Sequence, residues 1–177
     1  MTEYDAIVYD LDGTLVRLDV DWGAVRERTE TVLTDRDIAV GAADIWTIRE
    51  LAADHGVLDR VDEIIAEFER EGARNGTRLS LAEELPHTVP VGVCSLNAEG
   101  ACRIALEHHG LDGHVDAVVG RGTVDTVKPD PGPLLAALEQ LGVGPEDALF
   151  VGDSDTDRVA AERAGTAFEW VGDRTER

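Results

Sequence analysis

The chain has 177 residues, with 37 Asp or Glu against 16 Lys or Arg, a formal net charge of -21. That balance argues against a nucleic-acid backbone or an anionic membrane surface as partner, because both require a basic patch. A 43% hydrophobic share argues against disorder, and the length suits one domain, or one domain carrying an insertion, with a core large enough to need no structural metal or disulfide.

In chain order, residues 6–9, AIVY, form an apolar run that stops at Asp10 and a DGT turn, the pattern of a buried strand broken by glycine. Residues 22–80 then carry only helical periodicity. Val61, Ile64, Ile65 and Phe68 stand at i, i+3, i+4 and i+7 with acids between them, and Gly72, Asn75 and Gly76 are expected to close that helix. From about residue 81 the pattern alternates. VPVGVCS (89–95), VDAVVG (115–120), ALFVG (148–152) and AFEWV (167–171) read as strands, with helices over about 98–108, 131–141 and 156–164; the Asp130-Pro131 pair opens the second of these. Strands alternating with helices imply right-handed crossovers and a parallel sheet, an α/β class. Chemistry in such sheets collects beyond the carboxyl ends of the strands.

The polar residues just after the apolar runs are therefore the candidates. Asp10 and Asp12 in DLDGT stand two apart at a strand end, where an extended backbone points both side chains one way. A turn alone accounts for Gly13 but not for two carboxylates after a buried run, since like charges this close need a cation or a shared proton. GDSDTD adds Asp153 and Asp157 at another strand end. Carboxylates without a histidine or cysteine cluster suit Mg²⁺, and disfavour zinc. Lys128 is the only lysine beside fifteen arginines, and a compact ammonium can serve both a carboxylate and a phosphoryl group. Ser95, with the amides after it, can donate to phosphoryl oxygens. Asp155 and Thr156 read as helix caps or outward-facing residues.

DxDGTL from Asp10, VCSLN around Ser95, KPD at Lys128 and GDSDTD at Asp153 together resemble, in order and spacing, the four motifs of the haloacid dehalogenase-like (HAD) hydrolase superfamily. The resemblance implies a Rossmann-like parallel-sheet core, residues 1–17 and 81–177, with a small helical cap over 18–80 inserted after the first strand. Residue by residue it implies that Asp10 is the nucleophile that becomes an aspartyl-phosphate and Asp12 the general acid, then base. Mg²⁺ would be held by Asp10, the Asp12 carbonyl, Asp153 and Asp157, with Asp157 as direct ligand or as orienter. Ser95 and Lys128 would hold the phosphoryl oxygens, with Asn97 orienting the loop or the phosphate. A haloacid dehalogenase lacks the second acid, so Asp12 points to phosphomonoesters.

The resulting expectation is a Mg²⁺-dependent phosphatase of a small phosphorylated metabolite, working as a monomer or homodimer. A sugar-phosphate mutase of the β-phosphoglucomutase type is the enzyme alternative, and a catalytically silent binding protein the alternative from another class. Specificity is expected in the cap and near residues 13–22, where Arg17, Trp22, Arg26 and Arg28 stand by the entrance; an arginine there could clamp a second anion, or the arginines could be surface residues pairing with the abundant acids. Cys94 and Cys102 lie in apolar or helical patterns, so free buried thiols in a reducing cytoplasm are expected. The N-terminal MTEYDAIVYD has no basic stretch leading into an apolar run, and no segment approaches a membrane span. Scattered acids with a single lysine also match the proteins of salt-loving organisms, where ionic strength screens self-repulsion.

Overall fold

The run Ala6–Tyr9 is buried on both faces and becomes the central strand of a five-stranded parallel sheet. The computed structural model describes residues 4–175. In chain order the elements are β1 (Ala6–Tyr9), β2 (Val16–Arg17), α1 (Trp22–Thr34), α2 (Ile45–Asp54), α3 (Leu58–Asn75), β3 (Thr77–Arg78), β4 (Val91–Ala98), α4 (Glu99–His108), β5 (Ala117–Arg121), α5 (Gly132–Leu141), β6 (Ala148–Gly152), α6 (Asp155–Ala164), β7 (Ala167–Trp170) and α7 (Val171–Thr175). The sheet order is β5-β4-β1-β6-β7, and every pairing is parallel. This is the Rossmann-like α/β architecture expected.

Side chains alternate between two apolar layers. Ile7 and Tyr9 pack on one face with Cys102, Leu106 and Val151. Ala6 and Val8 pack on the other with Leu134, Leu138 and Phe150. Strands covered on both sides read as continuous apolar runs, which is why the sequence shows them clearly. The chain leaves β1 for β4 on one side and returns to β6 on the other. The strand order therefore reverses at β1, and a crevice opens beyond its carboxyl end.

Helices α1, α2 and α3 share a separate apolar cluster built on Val25, Leu33, Ile48, Val61 and Ile65. Asp21 and Asp44 cap the first two, accepting from Ala24 N at 3.0 Å and Thr47 N at 2.8 Å. The chain enters this block through β2 and leaves through β3, which pair antiparallel with Arg17 opposite Thr77. Two residues a side are too few for a readable period, and β3 falls inside the 22–80 block where only helices are expected. Helix α3 ends at Asn75 with Gly76 as its C-cap, as expected, whereas Gly72 lies inside it. A Cβ at Gly72 would collide with the backbone of Asp19, so this glycine serves a close approach and not a helix end. Among the described residues no helix is long and apolar enough to cross a membrane. Cys94 and Cys102 are free and buried.

Candidate active site

The crevice gathers residues from four strand ends. Asp10 follows β1 and is held by its amide on Val151 O at 2.9 Å. The next turn places Gly13 at φ +88, and a Cβ there would strike the Asp153 carboxylate, so only glycine lets the first loop close on the acid after β6. Within β4 the pairing to β5 shifts register between Cys94 and Ala98. Such an irregularity re-aims side chains, and Ser95 and Asn97 lie within it, both buried. The strand thus continues to Ala98 instead of stopping at Ser95.

Lys128, from the segment between β5 and α5, is 4% exposed. Its ammonium donates to Asp10 Oδ1 at 2.9 Å, Asp157 Oδ1 at 2.5 Å and Cys94 O at 2.9 Å, and lies 5.4 Å from the Phe150 ring centre. All three ammonium donors are used. Asp157 is also the third residue of α6, and its Oδ2 accepts from the Ser154 hydroxyl at 2.6 Å and amide at 3.1 Å in a capping box. Ser154 is therefore the N-cap; Asp155 and Thr156 begin the helix, and Asp155 faces outward, the second of the two readings of this pair.

Burial raises the Asp10 carboxyl to about 7, with Lys128 offsetting part of the rise and Asp157 and Asp153 adding to it. The neighbouring Asp10 and Asp157 carboxylates hold Lys128 protonated well above the usual lysine range, against the effect of its burial. The two directions are compatible. One ammonium can stay charged beside several acids, while the acids compete for it and one takes up a proton more readily. Asp12 is half-buried; burial raises its carboxyl, and Leu18 N, donating to Oδ1 at 2.9 Å, draws it back down. Asp153 is raised by burial and by the Asp157 charge. The Cys94 thiol is pushed up to about 12 by burial and stays protonated.

One carboxylate oxygen from each of Asp10, Asp153 and Asp157 lies within 4.8 Å of the other two. Several acids sharing one ammonium, with no histidine or cysteine among them, fit a hard divalent cation. The Asp12 carboxylate stands apart from the group, turned to the Leu18 amide.

Two partners were not legible as site residues. Glu69 of α3 is fully buried and accepts from Asn97 Nδ2 at 3.1 Å, Ala98 N at 2.9 Å, and Arg121 Nη1 and Nη2 at 3.0 and 2.9 Å. Arg121, at the end of β5, also donates to Leu96 O at 2.8 Å and meets Asp62 at 3.3 Å; Asp62 in turn takes both a 2.6 and a 2.9 Å bond from Arg49. The network ties α2 and α3 to the Ser95 loop. It also orients Asn97: with the amide nitrogen given to Glu69, Oδ1 faces Ser95 and accepts its hydroxyl at 3.0 Å. One sequence signal existed, because Glu69 continues the i, i+4 row of Val61 and Ile65 into Ala73. Glu69→Gln should lower stability by about 3 kcal/mol, since Arg121 loses its buried bidentate counter-charge. Turnover should fall by about tenfold or more as the Ser95 loop relaxes. Urea midpoints and steady-state rates check both, and wild-type values in each would refute the network's role.

A cavity of about 290 Å³ opens over these groups, lined by Asp10, Asp12, Ser95, Asn97, Lys128 and Asp153 together with Trp22 and Trp46. Of the entrance residues anticipated, Trp22 lines it. Arg26 instead bonds the carbonyls of Ala43 and Gly41, and Arg28 bonds Glu67 at 2.8 Å. Arg17 is exposed on β2 and is not part of the lining.

The chain is similar to known proteins. The family model for haloacid dehalogenase-like hydrolases matches residues 40–171. Phosphoglycolate phosphatase of Rhodospirillum rubrum is 31% identical over 186 residues, covering 90% of this chain and 76% of that protein. The enzyme of the same name from Aquifex aeolicus is 31% identical over 175 residues, with 90% and 81% covered. Among solved structures, a HAD-superfamily hydrolase, subfamily IA, variant 1, from Geobacter sulfurreducens superposes with a TM-score of 0.65 at 28% identity, covering 93% of this chain and 88% of that one. Fold, family match and long-range identity agree, and the chain belongs to the haloacid dehalogenase-like hydrolase family.

Proposed function

We propose that the protein is a Mg²⁺-dependent phosphatase that hydrolyses small phosphomonoesters through an aspartyl-phosphate on Asp10. The observation that carries the reading is the Lys128 ammonium, buried and bonded to Asp10 and Asp157 at the floor of a cavity that Asp12 also lines. The phosphoglycolate phosphatases of Rhodospirillum rubrum and Aquifex aeolicus, as relatives across 90% of the chain, support phosphate-ester chemistry.

Asp10 Oδ1 is engaged by Lys128, whereas Oδ2 has only a long 3.5 Å contact with Thr14, which leaves Oδ2 to attack phosphorus. As that bond forms, the ester P–O bond breaks and Asp12, in its acid form, gives its proton to the leaving alcohol oxygen. Its raised carboxyl suits that donor role. Asp12, now a carboxylate, takes a proton from water; the water oxygen attacks the same phosphorus, and Asp10 leaves as inorganic phosphate is released. The buried Lys128 ammonium offsets phosphoryl charge from its place beside Asp10, and the Ser95 hydroxyl would turn from Asn97 Oδ1 to donate to a phosphoryl oxygen. Asp10, the Asp12 carbonyl, Asp153 and Asp157 would hold Mg²⁺, which when bound offsets phosphoryl charge as a Lewis acid.

The test is a panel of phosphoglycolate, sugar, polyol and nucleoside phosphates at low and high salt. Phosphate release should require Mg²⁺ and stop on chelation with EDTA. Release that persists through chelation, or no release from any ester under either salt condition, would overturn the reading.

A further inference from the structure

We infer that the alcohol portion of the substrate is an uncharged ring, as in a pentose or hexose monophosphate, seated against Trp22 and Trp46, and that esters bearing a second anion are selected against; this rests on the phosphatase reading above. Trp22 is the first residue of α1 and Trp46 the second of α2, and both line the cavity over the acid cluster. Neither belongs to any of the three apolar clusters that hold the described chain together. The third tryptophan, Trp170, does pack on an aromatic neighbour, Phe168, with ring centres 5.0 Å apart. Trp22 is 42% exposed. Two indoles that line one cavity without joining those clusters give it an apolar wall, and each also carries an N–H donor. Such a wall suits a sugar ring, whose C–H face is apolar and whose rim is hydroxylated.

Charge supplies the second half of the argument. Among the described residues Lys128 is the only cation in the lining, and its three donors are already engaged. Arg26 and Arg28 are committed to carbonyls and to Glu67. A carboxylate on the substrate would therefore lie near Asp12 and Asp153 with no counter-charge in the lining, and like charges disfavour it. The volume agrees. About 290 Å³ is at the lower end of the roughly 300–1,000 Å³ of small-molecule sites, room for a phosphoryl group and one ring.

Steady-state kinetics on the whole chain in Mg²⁺ test the proposal. Glucose 6-phosphate or ribose 5-phosphate should exceed phosphoglycolate in kcat/KM by about tenfold or more. Trp22→Ala and Trp46→Ala should each raise KM for the sugar phosphate about tenfold and lower the ratio of kcat/KM for the sugar phosphate over glycerol 3-phosphate, while Trp46→Phe keeps most of the affinity. A preference for phosphoglycolate overturns the inference, and its loss in Arg17→Gln would name Arg17 as an anion clamp instead. Indole variants that slow every ester alike overturn it too. Failure of the phosphatase reading looks different, since then no ester releases phosphate. Binding still decides in that case. Glucose 6-phosphate added to Asp10→Asn in Mg²⁺ should change indole emission saturably, and the change should vanish when Trp46→Ala is added. Binding of inorganic phosphate without such a response to the sugar ester would sink the proposal.

Discussion

Asp10→Asn should abolish phosphate release, a loss of at least about 10⁴-fold, because the amide oxygen cannot replace the attacking carboxylate. The same variant should stay folded and, without metal, be at least as stable as the wild type. Asp10 is 6% exposed, and its burial raises the carboxyl from 3.8 to about 7 even with Lys128 beside it. A raised acid is preferred in its protonated form in the folded chain. It stabilises fully below its unfolded value, and that contribution is lost as pH rises through the folded value. The wild type in EDTA should therefore fall behind Asp10→Asn progressively between pH 4 and about 7, with the gap constant above. Thermal melts of both proteins across that range check the sign. Residual Mg²⁺-dependent turnover by the variant, with contamination excluded, would remove Asp10 from the chemistry.

Lys128→Met should be the most destabilising change in the site, by about 3–5 kcal/mol in metal-free buffer. Methionine fills a similar volume, so the loss is mainly electrostatic: Asp10 and Asp157 keep their burial but lose the ammonium at 2.9 and 2.5 Å. Cys94 O loses a donor as well. Added Mg²⁺ should narrow the gap, since a cation bound to the folded state stabilises it by mass action. Activity should fall at least about 10³-fold, because no other cation lines the cavity to hold the phosphoryl group. Lys128→Arg should rescue little. A planar guanidinium cannot place one point charge on three acceptors in a pocket shaped for an ammonium. Coincident urea midpoints for wild type and Lys128→Met would show that Lys128 contributes nothing to the fold.

These residues were readable in the sequence for a physical reason. Asp10, Ser95, Lys128 and Asp153 follow or interrupt apolar runs at strand ends, where a parallel sheet concentrates its chemistry, so local pattern and site coincide. The Glu69–Arg121 pair was not readable, because the partners stand 52 positions apart and meet only when α3 docks beside β4 and β5. Glu69 also sits in an acid-rich helix, where one more carboxylate looks solvated. The arginines near the entrance admitted two readings, an anion clamp or surface pairing with the abundant acids. Pairing is what Arg26 and Arg28 do, Arg28 with Glu67 and Arg26 with Glu30 and nearby carbonyls, a choice that a linear pattern cannot rank. Ser154 shows a third limit. A run of five possible capping residues offers several N-caps, and the one chosen is the one whose partner, Asp157, also serves Lys128.

The solitary ammonium at the floor of the cavity also makes the molecule unusual as a chemical target. Its outer surface carries guanidinium groups but no side-chain amine, since the single lysine is 4% exposed and closed in by acids. Acylating reagents specific for amines thus meet no side-chain target on the folded exterior. Any modification of Lys128 reports an opening of the centre itself, so the residue doubles as a built-in, single-site sensor of whether that centre is intact.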